Sequence, residues 1–222
     1  MIAVVIGNGE SRTGVDLNEL KSQATLIGCN AIHREFDVDH LVCCDQRMVR
    51  EVVSNQNSKI QNIYTREKYY QDFRKIQKIK TIKRLPLIPY SPTIKADEAE
   101  HWGSGPYAVL IAAEKFDTVN LIGFDLYGNQ HLLNNVYKDS PNYLPKTANA
   151  VDPAYWIHQL KRIFQHFPHV KFKIFNEETW VCPDVWKQPN VEVLNIKNIQ
   201  SVVKSLNSLY NKSLEAFDAH PS

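Results

Sequence analysis

The chain opens with an unbroken apolar run, Ile2-Ala-Val-Val-Ile6, that stops at Gly7-Asn8-Gly9. A short β-branched run with no polar alternation is what a strand buried on both faces requires. The glycines suit a tight turn whose backbone N–H groups point outward. Where such a turn leads into a helix N-terminus it makes a ready anion site, most often for phosphate. The same residues also make an ordinary strand-to-helix connection. The dinucleotide fingerprint G-x-G-x-x-G is not met, because Arg12 stands where its third glycine belongs.

Later segments repeat the pattern. Residues 24–30, 39–45, 60–64, 118–125, 170–175 and 191–195 read as strands. Helices are expected over 14–22 with Asp16 as cap, 46–53, 107–115, 153–166 and 198–214. The third is opened by Gly103-Ser104-Gly105-Pro106; the last carries Val202, Val203, Leu206, Leu209 and Tyr210 on one face. The alternation predicts an α/β, Rossmann-like domain over 1–222, with a mainly parallel twisted sheet covered by helices on both faces. Segment 65–102, with Pro86, Pro89 and Pro92, reads as an insertion or irregular excursion. Segment 126–152 is a long loop carrying Tyr127, His131, Tyr137 and Tyr143, and loops of that length suggest a lid.

The hydrophobic fraction of 43% and four tryptophans can fill a sizeable core. No apolar run approaches the roughly 20 residues of a membrane span, and Met1 leads straight into a strand, so a cytoplasmic protein is expected. Cys29, Cys43, Cys44 and Cys182 lack metal-ligand spacing, and adjacent Cys43-Cys44 inside an apolar run reads as reduced core filling. A net charge of +2 is too small to imply a polyanionic partner by itself. The local cluster from Arg74 to Arg84 reads either as a basic patch for nucleic acid or phosphorylated substrate, or as a solvated face whose Ile76, Ile79 and Ile82 pack inward; the second is preferred. Asp37-Val-Asp39 matches the D-x-D string that holds metals, but it falls at the amino end of a strand, where a turn role is expected and no metal is assigned.

In a parallel sheet, ligands bind beyond the carboxyl ends of the strands, where strand order reverses. The residues at those ends are Gly7-Asn8-Gly9, Asn30, Asp45 and Gly123-Phe124-Asp125, which together suit a polar ligand. Ile6-Gly-Asn-Gly-Glu-Ser11, Gly28-Cys-Asn30, the Ser104-Gly105 helix and Val119-Asn-Leu-Ile-Gly-Phe-Asp-Leu-Tyr127 resemble, in order and approximate spacing, bacterial sialyltransferases of glycosyltransferase family 42. A related superfamily that includes 6-hydroxymethylpterin diphosphokinase-like proteins shares the glycine loop, an aspartate after the third strand (Asp45 here) and the Gly123 to Asp125 element.

The resemblance implies that Gly7, Asn8 and Gly9 approach a nucleotide phosphate, with Asn30 and Ser104-Gly105 near the ribose or base. It also implies that Gly123 and Asp125 line the nucleotide pocket and that Tyr127 lies close to the leaving phosphate. Tyr127, Tyr137 and Tyr143 carry hydroxyls of the kind that stabilise a departing phosphate without a metal. The family's acceptor-deprotonating histidine has no counterpart in 146–152; His131 is the nearest substitute, with Asp125 or Asp152 as alternatives, and Glu10 stands where the family has proline. The expected activity is transfer of a sugar from a CMP-, UDP- or GDP-sugar to a glycan or a modified nucleic acid, without metal or cofactor. Two alternatives are a pterin-type diphosphokinase using Mg²⁺ and ATP, and a non-catalytic nucleotide- or nucleic-acid-binding module. A homo-oligomer stays open.

Overall fold

The computed structural model describes residues 1–55, 57–60, 62–76 and 81–218. Eight strands form one sheet: β1 (Ile2–Ile6), β2 (Thr25–Cys29), β3 (His40–Cys43), β4 (Asn62–Thr65), β5 (Thr81–Arg84), β6 (Thr118–Ile122), β7 (Lys171–Asn176) and β8 (Val191–Asn195). Every neighbouring pair is parallel, in the order β5-β4-β3-β2-β1-β6-β7-β8. The order runs outward from β1 in both directions, so strand order reverses between β1 and β6. The α/β, Rossmann-like expectation holds.

Alternate residues of β1 feed two different cores, as the two-residue strand period demands. Ala3 and Val5 pack with α4 (Ser104–Ala113) and α5 (Ala154–His166). Val4 and Ile6 pack with residues of α1 (Leu17–Lys21), α2 (Gln46–Ser54), α3 (Glu67–Phe73) and α6 (Ile199–Asp218) on the opposite face. α4 is apolar on nearly every side because it lies between the sheet and α5. Asp16 caps α1 by accepting from Asn18 and Glu19, as its position suggests. No described helix is long and apolar enough to cross a membrane.

Segment 65–102 differs from the expected irregular excursion. It contains α3 and β5, a further strand–helix–strand step, before a strap of two 3-10 turns, Lys95–Asp97 and Ala99–His101. β5 escapes notice because it is four residues long and half charged, which suits an exposed sheet edge. Within the basic cluster, Ile82 is buried and Arg84 pairs with Glu67 at 2.5 Å and lies 4.5 Å from the Tyr70 ring centroid. Residues 77–80 of that cluster, and the side chain of Ile76, lie outside the described residues. Asp37 and Asp39 sit at the amino end of β3. Their carboxylates accept from Lys59 N and Ser58 Oγ, and from Leu26 N, respectively, which is a strand-entry role. The four cysteines are unbridged, Cys29 and Cys43 fully buried.

Candidate functional site

A cavity of about 760 Å³ opens at the carboxyl ends of β1, β2, β3 and β6. Gly7, Asn8, Gly9, Asn30, Asp45, Ser104, Gly105, Gly123 and Asp125 all line it. Tyr127 and His131 do not. Tyr127 sits beside Cys182 and Asp184. His131 is exposed, with φ +66°, on the small turn bridged by Asn129 and Leu132. Asp152 is exposed too and accepts from Ala154 N. Of the aspartate and histidine bases considered, only Asp125 is at the cavity.

The glycine loop is built differently from the anion cradle expected of it. Gly7 N donates to Ile122 O at 2.8 Å and Gly9 N to Gly123 O at 2.9 Å. Glu10 N donates to Asn134 Oδ1 at 2.8 Å and Ser11 N to Asp125 Oδ2 at 2.9 Å. These four amides are thus consumed by β6, its turn and the 126–152 loop, and cannot face a phosphate. The glycines are needed because two backbones meet: a Cβ on Gly7 would overlap the Gly123 carbonyl oxygen and lie 3.0 Å from its carbon, and Gly123 itself has φ +69°. Asp125 is buried, bonded by Ser11 N and Oγ and by Asn176 Nδ2. Both its oxygens hold the loop, so Asp125 ties the glycine turn and Asn176 to the end of β6.

The open N–H groups are that of Asn8, for which no acceptor is found among the described residues, and those at the start of α4. Its N-cap is Gly103, without a side-chain cap, and among the described residues the Ser104 and Gly105 amides have no acceptor. Free amides and the helix dipole make this end favourable to an anion. Ser104 Oγ accepts from Cys44 N at 3.0 Å and so must give its one proton to Asn30 Oδ1, at 2.9 Å. That relay fixes the Asn30 amide with its NH₂ free for the cavity. Asn30 holds φ +51°, a left-handed position that asparagine tolerates at a strand end.

Among the other lining residues, Arg66, Asn134, Asn135 and Trp156 carry no signal in the sequence patterns above. Arg66, just past β4, donates to the carbonyls of Cys44, Ala99, Glu100 and Trp102, and no carboxylate pairs with it among the described residues. Its charge therefore stays available to the cavity. Tyr143 OH accepts from Asn8 Nδ2 at 3.2 Å and from Ala31 N, leaving its proton for a ligand; burial pushes its pKa well above the usual phenol range. Asp45 caps α2 through Arg47 N, and the Arg47 guanidinium beside it holds its carboxyl below the usual range. Asn134, Asn135, Trp102 and Trp156 complete the walls.

The strap that carries Trp102 and Gly103 is pinned from α5 as well. Gln159 Nε2 donates to Ala96 O and His101 O, and His158 Nε2 lies 2.7 Å from the fully buried Asp97 carboxylate. Burial raises the Asp97 pKa, but hydrogen bonds from Thr93 N, His158, Thr93 Oγ1 and Ile94 N outweigh it and bring it down to about 2. A depressed carboxylate contributes stability above its unfolded pKa and loses it as pH falls through the folded one. Unfolding free energies from urea titrations are therefore expected to drop between pH 4 and pH 2 by an Asp97 share of about 2 kcal/mol, and Asp97→Asn is expected to flatten that part of the profile.

No protein-family model and no curated protein matches the chain. Among solved structures it is similar to the Maf glycosyltransferase from Magnetospirillum magneticum AMB-1, at 14% identity and a TM-score of 0.51 over 93% of this chain. The chain spans 37% of that protein. It also matches the α-2,3/8-sialyltransferase CstII, as a point mutant (16% identity, TM-score 0.47, 88% of each chain) and as a complex with a trisaccharide acceptor and CMP (14%, 0.49, 88% of this chain and 87% of that one). At these identities the likeness is one of fold.

Proposed function

We propose that the chain is a glycosyltransferase that takes a sugar from a nucleotide-activated donor and passes it to a glycan. The observation that carries this reading is the convergence, at the strand-order reversal, of the free Ser104 and Gly105 amides, the Asn30 NH₂ and the Tyr143 hydroxyl. The donor's phosphate would sit against the α4 N-terminus, and the nucleoside toward Arg47, Arg66 and Tyr69. As the bond from the sugar to the phosphate oxygen breaks, negative charge grows on that oxygen. Preorganised donors in a sheltered cavity favour the charge without reorganising. Neutral donors fill this role here, so transfer is proposed to be metal-independent. The diphosphokinase alternative has less support, since the two lining carboxylates, Asp45 and Asp125, are already bound to Arg47 and Ser11.

Titration calorimetry with CMP, UDP, GDP and their sugar conjugates checks the proposal, with and without EDTA. At least one nucleotide is expected to bind with a micromolar dissociation constant, about −8 kcal/mol, unchanged by the chelator. No binding by any of them would rule the reading out, and binding that requires Mg²⁺ would move it to the diphosphokinase.

A further inference from the structure

The 3-10 turn Asn30–Arg34, directly after β2, serves the cavity at both its ends. Asn30 opens it and offers its NH₂, Ala31 N bonds the Tyr143 oxygen, and Arg34 closes it. In a 3-10 turn residues three apart lie on one side. Arg34 therefore shares the side of Ala31 and meets the segment that delivers Tyr143.

Arg34 holds that segment with its whole guanidinium. Nη1 donates to Ser140 Oγ at 2.8 Å and Nη2 to Pro141 O at 2.8 Å. Nε and Nη2 also form a fork on the Glu51 carboxylate, at 2.5 and 2.8 Å. Glu51 in turn accepts from Asn142 Nδ2 at 2.9 Å. The three residues immediately before Tyr143 are thus each bonded to one member of the pair. Arg34 Cζ also lies 5.7 Å from the Tyr143 ring centroid and 6.0 Å from that of Tyr137, and the two rings are 5.4 Å apart.

Most surface ion pairs contribute little, because solvent screens them and two long side chains lose freedom. This pair differs: it is a two-bond fork within a network, and only 22% and 26% of its side chains are exposed. The Arg34 guanidinium holds the Glu51 carboxyl below the usual range, so the pair stays charged at neutral pH. The near end of the same stretch is fastened separately. Val136 N donates to Asn8 O and Tyr137 N to Asn135 Oδ1, both at 2.9 Å. Arg34 and Glu51 govern the far end, where Tyr143 stands.

We infer that Arg34 and Glu51 are positioning residues for the transfer step: their clasp on residues 140–142 sets the Tyr143 hydroxyl at the cavity. The inference rests on the nucleotide-sugar reading above. Neither residue lines the cavity, so both act through Tyr143.

The test compares breakdown of CMP-, UDP- and GDP-sugars by the wild type, Arg34→Lys, Glu51→Gln, Tyr143→Phe and the double variant Arg34→Lys/Tyr143→Phe. Lysine keeps the charge but cannot form the fork; glutamine keeps the shape but replaces one acceptor with a donor. Each single clasp variant is expected to lower the rate by about 10- to 100-fold, the cost of a misplaced catalytic group. Free-nucleotide affinity should not change. Once Tyr143 is phenylalanine there is no hydroxyl to place, so adding Arg34→Lys should cost no more than about twofold. Tyrosine ¹³Cζ NMR, with Tyr143 assigned from Tyr143→Phe, reads the placement directly. That resonance should move in Arg34→Lys and Glu51→Gln, while those of tyrosines outside the loop stay in place. Equal losses from Arg34→Lys with and without the Tyr143 hydroxyl overturn the inference, as do variants that weaken nucleotide binding as much as turnover. An unmoved Tyr143 resonance, with a wild type that does break down a sugar nucleotide, overturns it alone. A wild type that breaks down none of them ends the glycosyltransferase reading itself, and the role in transfer falls with it.

Discussion

Replacing Gly7 by alanine is expected to lower the stability of the fold by about 3 kcal/mol or more, a Tm loss of about 6–12 °C for a chain of this length. The added methyl meets backbone on the opposite strand turn, the Gly123 carbonyl, and Phe124 Cδ2 at 3.3 Å. A flexible side chain could swing aside; a carbonyl in the middle of an eight-stranded sheet cannot without breaking the Gly7–Ile122 and Gly9–Gly123 hydrogen bonds. Gly14→Ala is the informative control. Gly14 has φ +84° but no atom within 4 Å of an added Cβ, so that change costs only the left-handed penalty of about 1–2 kcal/mol. Thermal melts of the two variants separate collision from backbone strain. A Gly7→Ala protein melting within 2 °C of wild type, a margin below about 1 kcal/mol, would show that the interlock of the two turns is not a constraint.

The second large effect is on turnover. Tyr143→Phe is expected to reduce the rate of sugar-nucleotide breakdown by about 10²–10³-fold, the usual cost of one preorganised donor at a developing oxyanion. Nucleotide affinity should change much less, because the hydroxyl matters most when charge has moved onto the leaving oxygen. The variant will also lose about 1–3 kcal/mol of stability, since Asn8 Nδ2 and Ala31 N are left without their acceptor. Rates are therefore compared well below the melting range and per folded molecule. Tyr127→Phe, at a residue outside the cavity lining, is expected to leave the rate unchanged. The opposite ranking of the two variants would return the leaving-group role to Tyr127.

The strands and the ends that matter were legible in the sequence wherever burial imposed an unbroken apolar run. β1, β2, β3 and β6 announce themselves this way, and the small or polar residues that close them mark the cavity floor. What was not legible falls into two kinds. β5 and the strap turns lack such a run, because an edge strand and a surface strap are partly solvated. Arg66 follows β4 directly and would have joined the strand-end set had that strand been placed one or two residues later. The other kind concerns partners. Gly7 and Gly9 looked like open phosphate ligands because sequence alone does not reveal that Gly123 sits opposite them, 116 and 114 positions away. His131 looked like a base because it shares a loop with the cavity wall, yet its turn points it to solvent. Asn134 and Asn135 form an unremarked pair until the backbone amides that capture their oxygens are known.

The central position of β1 has a consequence for how the chain acquires its structure. β1 is the first strand in sequence, yet its second neighbour is β6, with Ile2 paired to Thr118 and Ile6 to Ile122. β2 to β5 can add one after another through short connections, but the middle of the sheet has an open side until residue 122 exists. Closing that loop costs entropy before any contact rewards it, and contacts so distant in sequence slow folding. During synthesis, the first half of the chain must therefore wait with an apolar strand edge exposed, the state in which unpaired strands are most prone to associate with one another.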